Sequence, residues 1–163
     1  MNTKSYSCTA LASVAANLCV AIWLSAVAWN QFSRAGGAEP FELAFLLTML
    51  PLTWLGAVLL LIKPEWGRPA SLLALLGILA GAAKIAFDGG FAWAWTAHNM
   101  ITAIVLLVAV SGLLLNAHAL LVSRFDGRAA LAGLALAIIV AGSVGWWAVD
   151  NQALLAEWNA RWT

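Results

Sequence analysis

The stretch of the chain most suggestive of chemistry is GAAKIAFDGG, residues 81–90, which ends a long apolar run with two opposite charges. Lys84 and Asp88 are four residues apart, so on a helix their side chains share one face and can neutralise each other. At the end of a membrane-spanning segment, Lys84 can also extend its ammonium group to the lipid headgroups. The pattern predicts an ion pair or a headgroup contact at a membrane surface.

A second interpretation groups these charges with other polar residues expected at the same end of the molecule. The candidates for binding a ligand or an ion are Glu42, Lys84, Asp88 and His98. Carboxylates and an imidazole at one level could bind a divalent cation, a lipid amine or a proton. Their spacing matches no metal motif of the HExxH type, so we predict neither a metal site nor a catalytic residue.

Other groups that could hold a cofactor are too far apart. His98 and His118 are twenty residues apart on one predicted helix, about 30 Å along its axis, and cannot ligate the same iron. Cys8 and Cys19 are about 16 Å apart on another helix, too far for an intramolecular disulfide. The sequence therefore predicts no bound cofactor, and we interpret the cysteines as small apolar fillers.

The composition identifies lipid as the solvent around these groups. Hydrophobic residues make up 64% of the 163 residues and charged residues only 9%, whereas a soluble domain needs a larger polar surface. Five apolar segments are each about 20 residues long, enough to cross the hydrocarbon layer as a helix. They cover residues 10–29, 43–62, 69–87, 97–122 and 129–149. The sequence predicts an all-α, polytopic membrane bundle that forms a single domain.

The basic residues predict how this bundle lies in the membrane. Five of the eight lysines and arginines fall on the side of the N-terminus and three on the other. Because short cytoplasmic loops are enriched in Lys and Arg, we expect a cytoplasmic N-terminus and a periplasmic C-terminus, in a bacterial inner membrane. The net charge of only +1 gives no indication of nucleic acid binding.

The connections and the C-terminal segment complete this topology. Pro64 and Gly67 are expected to interrupt the chain between the second and third spans. Residues 150–163 alternate tryptophan and leucine with charged and amide side chains. Such a mixture predicts an interfacial, amphipathic segment, or an aromatic anchor for the last span.

Small residues recur at intervals of three or four in two of the spans. They are Ala70, Ala74, Gly77 and Gly81 in the third span, and Ala129, Gly133, Ala137, Ala141 and Gly145 in the fifth. Each stripe leaves a nearly bare helix face on which a neighbouring span or another subunit can pack closely. Asn17 and Asn116 lie inside apolar spans, where interhelical hydrogen bonds are the commonest role of such residues.

Residues 15–90 resemble the first three spans of a known family. The residues that carry the resemblance are Asn17-Leu18, Ala21, Asn30, Phe32, Pro40, LLLIK at 59–63 and RPASLLALLGILAGAAKIAFDGG at 68–90. They look like the membrane domain of the lipid A phosphoethanolamine transferases. The resemblance implies a five-span domain that holds lipid or a partner. That family's periplasmic zinc domain and its threonine nucleophile have no counterpart here, so we transfer no catalytic residue.

Three functions stay open at this point. We favour a non-catalytic accessory or structural subunit of a larger membrane complex, because the loops are short and no nucleophile, general base or metal motif is recognisable. The alternatives are a small transporter or channel and a lipid-binding membrane domain related to the transferases. The expected partners are membrane lipids and another integral membrane protein or further copies of the chain.

Overall fold

Five α-helices make up nearly all of the part of the chain that the structure describes. The structure is a computed structural model, and it describes residues 8–33, 40–89, 97–122, 126–151, 153–154 and 157. The helices are α1 (Cys8–Ser33), α2 (Pro40–Ile62), α3 (Pro64–Gly89), α4 (Ala97–Val122) and α5 (Gly127–Asp150). Each contains a stretch long and apolar enough to cross a membrane. The prediction of an all-α chain with five such helices is confirmed.

The ends of α5 follow from local chemistry. Asp126 is extended, and its carboxylate accepts hydrogen bonds from the backbone N–H groups of Arg128 at 3.0 Å and Ala129 at 3.5 Å. An aspartate in this position satisfies donors that have no partner inside the helix. Asn151 closes the other end by donating its backbone N–H to the carbonyl of Trp147 at 3.0 Å.

The connection between α2 and α3 is shorter than the sequence predicts. Within it only Lys63 is not helical, and α3 begins at Pro64. Proline suits the first turn of a helix because the N–H that it lacks would have no partner there. Gly67 then lies so close to the backbone of Leu59 and Leu60 that a Cβ would overlap it. Pro64 and Gly67 therefore start α3 and allow a tight turn, where we expected an interruption of the chain.

Four helices form a closed unit and the fifth packs on its outside. Both α1 and α3 contact α2 and α4, so that α1–α4 surround a common interior. Helix α5 contacts α2 and α3 and, among the described residues, makes no extensive contact with α1 or α4. The turn at Lys63 lies at one end of the bundle and Lys84 lies towards the other. We call these ends the Lys63 end and the Lys84 end.

Two groups of buried apolar side chains match this arrangement. The interior of the α1–α4 unit contains Val20, Leu24, Leu46, Leu75, Ile78, Val105 and Ala109. The contact of α5 with α2 and α3 buries Leu52, Ala70, Ala74 and Ala137. In lipid, apolar side chains gain little from leaving the solvent, so close van der Waals packing of small residues is the main attraction that holds α5 in place.

The predicted interfacial segment at residues 150–163 lies mostly outside the described residues. Helix α5 ends at Asp150, and beyond its cap only Ala153, Leu154 and Glu157 are described. All three are exposed. The amphipathic character of the segment stays a prediction.

Candidate functional site

The four polar residues predicted to bind a ligand or an ion belong to helix segments near the Lys84 end. Glu42 is in the first turn of α2, Asp88 in the last turn of α3, and His98 in the first turn of α4. Lys84 is exposed on α3. The side chains of Glu42, Asp88 and His98 lie outside the described part of the chain. The order of the helices brings the four positions to one end of the bundle, and a site made by their side chains stays a prediction.

The described part of the chain offers no alternative metal centre. Nowhere in the described ranges do three or more His, Cys, Asp or Glu side chains come together to hold an ion. His118 is exposed near the end of α4. Cys8 and Cys19 are free thiols, and both are exposed on α1 instead of filling the interior.

The small residues of α5 face its two neighbouring helices. Gly133 lies against the backbone of Trp66 so closely that a Cβ would overlap it. Ala137 is completely buried, and Ala141 packs against the same group of residues. A Cβ at Gly145 would lie 3.7 Å from Oγ1 of Thr48. This side of α5 is therefore occupied within the chain.

The corresponding residues of α3 face α2. A Cβ at Gly77 would lie 2.6 Å from the sulfur of Met49, and at Gly81 it would overlap the ring of Phe45. Ala70 and Ala74 are completely buried beside α5. Both small-residue stripes that the sequence marks are thus used inside the molecule, which leaves neither free for another protein.

A third row of mostly small residues, which sequence reasoning missed, stays exposed on α1. We call it the α1 face, and it consists of Cys8, Ala12, Ala15, Cys19, Ile22 and Ala26. Leu11 and Trp29 lie along one edge. The six residues alternate in steps of four and three and so occupy two positions of a seven-residue repeat, the pattern that is typical of helices packed in a left-handed coil. A search of the sequence for rows with alternating steps of four and three, in addition to rows with steps of four, finds the α1 face.

The exposed faces of α4 and α5 carry mostly larger side chains. On α4 and α5 the exposed residues include Ile104, Leu107, Leu114, Leu131, Ile138 and Ile139. Large branched side chains pack well against lipid chains, whereas small ones allow another helix backbone to approach. The α1 face is therefore the exposed surface best suited to a second helix.

The interior of the α1–α4 unit holds a group of buried polar side chains. Asn17 and Asn116 are 0% exposed, as are Thr53 and Ser71. The amide Nδ2 of Asn17 donates to the Ser13 carbonyl at 2.9 Å, one turn back on its own helix. Asn116 does the same to the Gly112 carbonyl at 2.9 Å.

The interhelical hydrogen bonds expected for these asparagines are not found among the described residues. Oδ1 of Asn17 and Oδ1 of Asn116 have no hydrogen-bond partner in this part of the chain, and neither has Oγ of Ser71. The reason is local: in any helix the carbonyl four residues back is within reach of an asparagine amide, so it competes with a partner on another helix. Three buried oxygen atoms are left without a donor or an acceptor.

Comparison with protein families, curated proteins and solved structures found no match to this chain. The resemblance to the phosphoethanolamine transferase membrane domain consequently stays a prediction from the sequence. The functional interpretation rests on the geometry of the α1 face and of the buried polar group.

Proposed function

We propose that this protein is a non-catalytic integral membrane subunit that binds a transmembrane helix of a larger membrane complex through the α1 face. The observation that carries this proposal is the contrast between exposed surfaces. Five of the six residues of the α1 face are small, whereas the exposed residues of α4 and α5 are mostly large. A helix that packs there approaches the α1 backbone closely and gains van der Waals contact that lipid chains do not supply.

The partner that fits the α1 face best is a helix of a different protein. In a symmetric, parallel pair of α1 helices each residue faces its own copy. Ile22 then opposes Ile22 and holds the two helices apart. Gaps are left where Ala15 opposes Ala15 and where Cys19 opposes Cys19. A different helix can place a large side chain opposite Ala15 and a small one opposite Ile22, and so fill the face along its whole length.

We place the protein in a bacterial inner membrane with its N-terminus in the cytoplasm. Among the described basic residues, Lys63, Arg68 and Arg128 belong to the Lys63 end and Lys84 to the other. This asymmetry supports a cytoplasmic Lys63 end. The C-terminus is then periplasmic, and a reporter enzyme that is active only in the periplasm is expected to work when fused after Thr163. Activity of a reporter restricted to the cytoplasm would contradict this orientation.

A large side chain on the α1 face tests the function. We expect Ala15→Phe to reduce recovery of the partner at least tenfold when tagged protein is extracted in a gentle detergent, because the ring holds the two backbones apart. Leu107→Phe is the matched control, since Leu107 is 67% exposed on α4 and a phenylalanine there contacts only lipid. Both positions are exposed, so each variant is expected to keep the stability of the parent chain. Equal recovery of the partner by both variants would contradict the proposal.

A further inference from the structure

The three unpartnered oxygen atoms in the α1–α4 interior belong to one level of the bundle. A Cβ added to Gly112 of α4 would lie 3.0 Å from Cβ of Ala16 on α1 and 3.3 Å from Cδ1 of Leu75 on α3. Three helices therefore meet at Gly112. Asn17 follows Ala16 directly and Asn116 lies one turn beyond Gly112, so both asparagines are within one turn of this meeting point.

The two asparagine side chains point towards each other along the bundle. Each amide reaches back to a carbonyl of its own helix, Asn17 to Ser13 and Asn116 to Gly112. Side chains in a helix tilt towards its N-terminus. Because α1 and α4 run in opposite directions, the amides of Asn17 and Asn116 extend from opposite sides into the same layer.

Ser71 lies at this level on a third helix, and its hydroxyl is in the contact of α3 with α2. It lies one turn before Leu75 on α3. Helix α3 is antiparallel to α4: Leu75 is close to Gly112, and Arg68, earlier on α3, donates a hydrogen bond to the carbonyl of Ala119, later on α4, at 3.4 Å. Ser71 is thus displaced from the meeting point in the same direction as Asn116. Its Oγ lies 2.9 Å from where a Cβ of Gly56 on α2 would stand.

The unpartnered atoms define the chemistry of what fits between them. Each amide nitrogen donates to a carbonyl of its own helix, which leaves each Oδ1 as a buried hydrogen-bond acceptor that needs a donor. Two acceptors cannot bond to each other. A buried acceptor without a donor is energetically unfavourable in the apolar interior of a membrane protein. In proteins such atoms commonly bind a buried water with two to four polar partners.

We propose that an ordered water molecule binds between α1 and α4, inside the membrane. It donates one hydrogen bond to Oδ1 of Asn17 and one to Oδ1 of Asn116. This assignment satisfies both amide oxygens with the two donors that one water carries. It does not depend on the function proposed for the α1 face.

A water fits this layer better than a cation does. Asn17, Asn116 and Ser71 are all neutral, and a cation at this depth requires a nearby negative charge to offset its desolvation. The carboxylates whose side chains are described, Glu65, Asp126, Asp150 and Glu157, are exposed. Two neutral acceptor oxygens match the two donors of water and leave no charge to compensate.

Solid-state NMR of the full chain in lipid bilayers tests the water site directly. With the chain uniformly labelled by ¹⁵N, we expect magnetisation from water to reach the side-chain amides of Asn17 and Asn116 at least five times faster than the backbone amides of Leu24 and Ile78. Those two residues belong to the apolar part of the same interior. Transfer to both asparagines as slow as to Leu24 would overturn the proposal and indicate a direct hydrogen bond between the asparagines.

Two further measurements separate the remaining outcomes. We expect Asn116→Leu to reduce the water transfer to Asn17 at least twofold, because the water loses one of its partners. Ser111→Ala is the control on the same helix, since this hydroxyl is exposed and bonds to the Leu107 carbonyl at 2.9 Å; it should leave the transfer unchanged. Asparagine signals that shift when sodium is replaced by a large organic cation would show a bound cation and overturn the assignment of water.

Discussion

Single side chains decide where the helices of this protein begin and how they meet. Asp126 starts α5 by accepting two backbone hydrogen bonds. Arg68 reaches from α3 to the Ala119 carbonyl at 3.4 Å, close to the end of α4. A guanidinium there binds a carbonyl in the last described turn of α4 and interacts favourably with the negative end of the helix dipole. The Lys63 end is therefore held by polar contacts, while the spans are held by apolar packing.

The cap of α5 gives a prediction at this scale. We expect Asp126→Ala to lower the free energy of unfolding by about 0.5–2 kcal/mol, because two backbone donors lose their acceptor. Asp126→Asn is the control, since an asparagine oxygen can accept the same hydrogen bonds. Circular dichroism during denaturation in detergent measures both. If the Asn variant loses as much stability as the Ala variant, the negative charge matters and the hydrogen bonds do not.

The burial of Asn17 and Asn116 could be predicted from the sequence, but the acceptors of their hydrogen bonds could not. The burial of Asn17 and Asn116 follows from their positions in apolar spans, because an amide costs too much energy in contact with lipid. Their hydrogen bonds differ from the expectation because the nearest acceptor is on the same helix. Ser71 gave no signal at all, since a serine is common in membrane helices and its burial depends on the approach of Gly56 from α2.

At the scale of the helix, α5 is held in place by the close packing of small residues, because the burial of apolar side chains contributes little in lipid. Gly133 allows the α5 backbone to contact that of Trp66, and Ala137 lies in the contact with α2 and α3. The opposite face of α5 includes Gly142, where a Cβ would meet no atom within 4 Å. The two glycines share a helix and differ in what surrounds them.

This difference gives a matched pair of variants. We expect Gly133→Ala to lower the free energy of unfolding by about 1–3 kcal/mol, since its methyl group would overlap the Trp66 backbone and push α5 outward. Gly142→Ala is expected to leave stability unchanged or to raise it by up to about 1 kcal/mol, the helix preference for alanine over glycine. Thermal unfolding of both proteins in one detergent measures the difference. Equal stability of the two variants would contradict the packing of α5 described here.

The existence of the helices could be read from the sequence, and their pairing could not. Spans of about 20 apolar residues can be recognised from their length and composition. A stripe of small residues shows that a helix packs there but not which helix, and the stripes of α3 and α5 turned out to face α2 and each other. The start of α3 at Pro64 was missed because a proline can either end one helix or begin the next.

At the scale of the whole molecule, the arrangement of four helices plus one leaves α1 as a side wall of the bundle. Its inner side packs against α2 and α4, and its outer side is the α1 face. This arrangement depends on contacts between helices distant in the chain, such as α1 with α4 and α2 with α5. The sequence contains no local signal for such contacts. We propose α1 as the helix that recruits a partner because the small-residue rows of α3 and α5 are occupied inside the molecule.

The most direct test of this account is site-specific photo-crosslinking in intact membranes at natural abundance. A photoreactive amino acid is placed at Ala15 on the α1 face and, as the control, at Leu107 on α4. We predict a discrete adduct with a different membrane protein from position 15, and adducts with lipid alone from position 107. Lipid adducts alone from both positions, or an adduct at position 15 only with a second copy of this chain, would contradict the account.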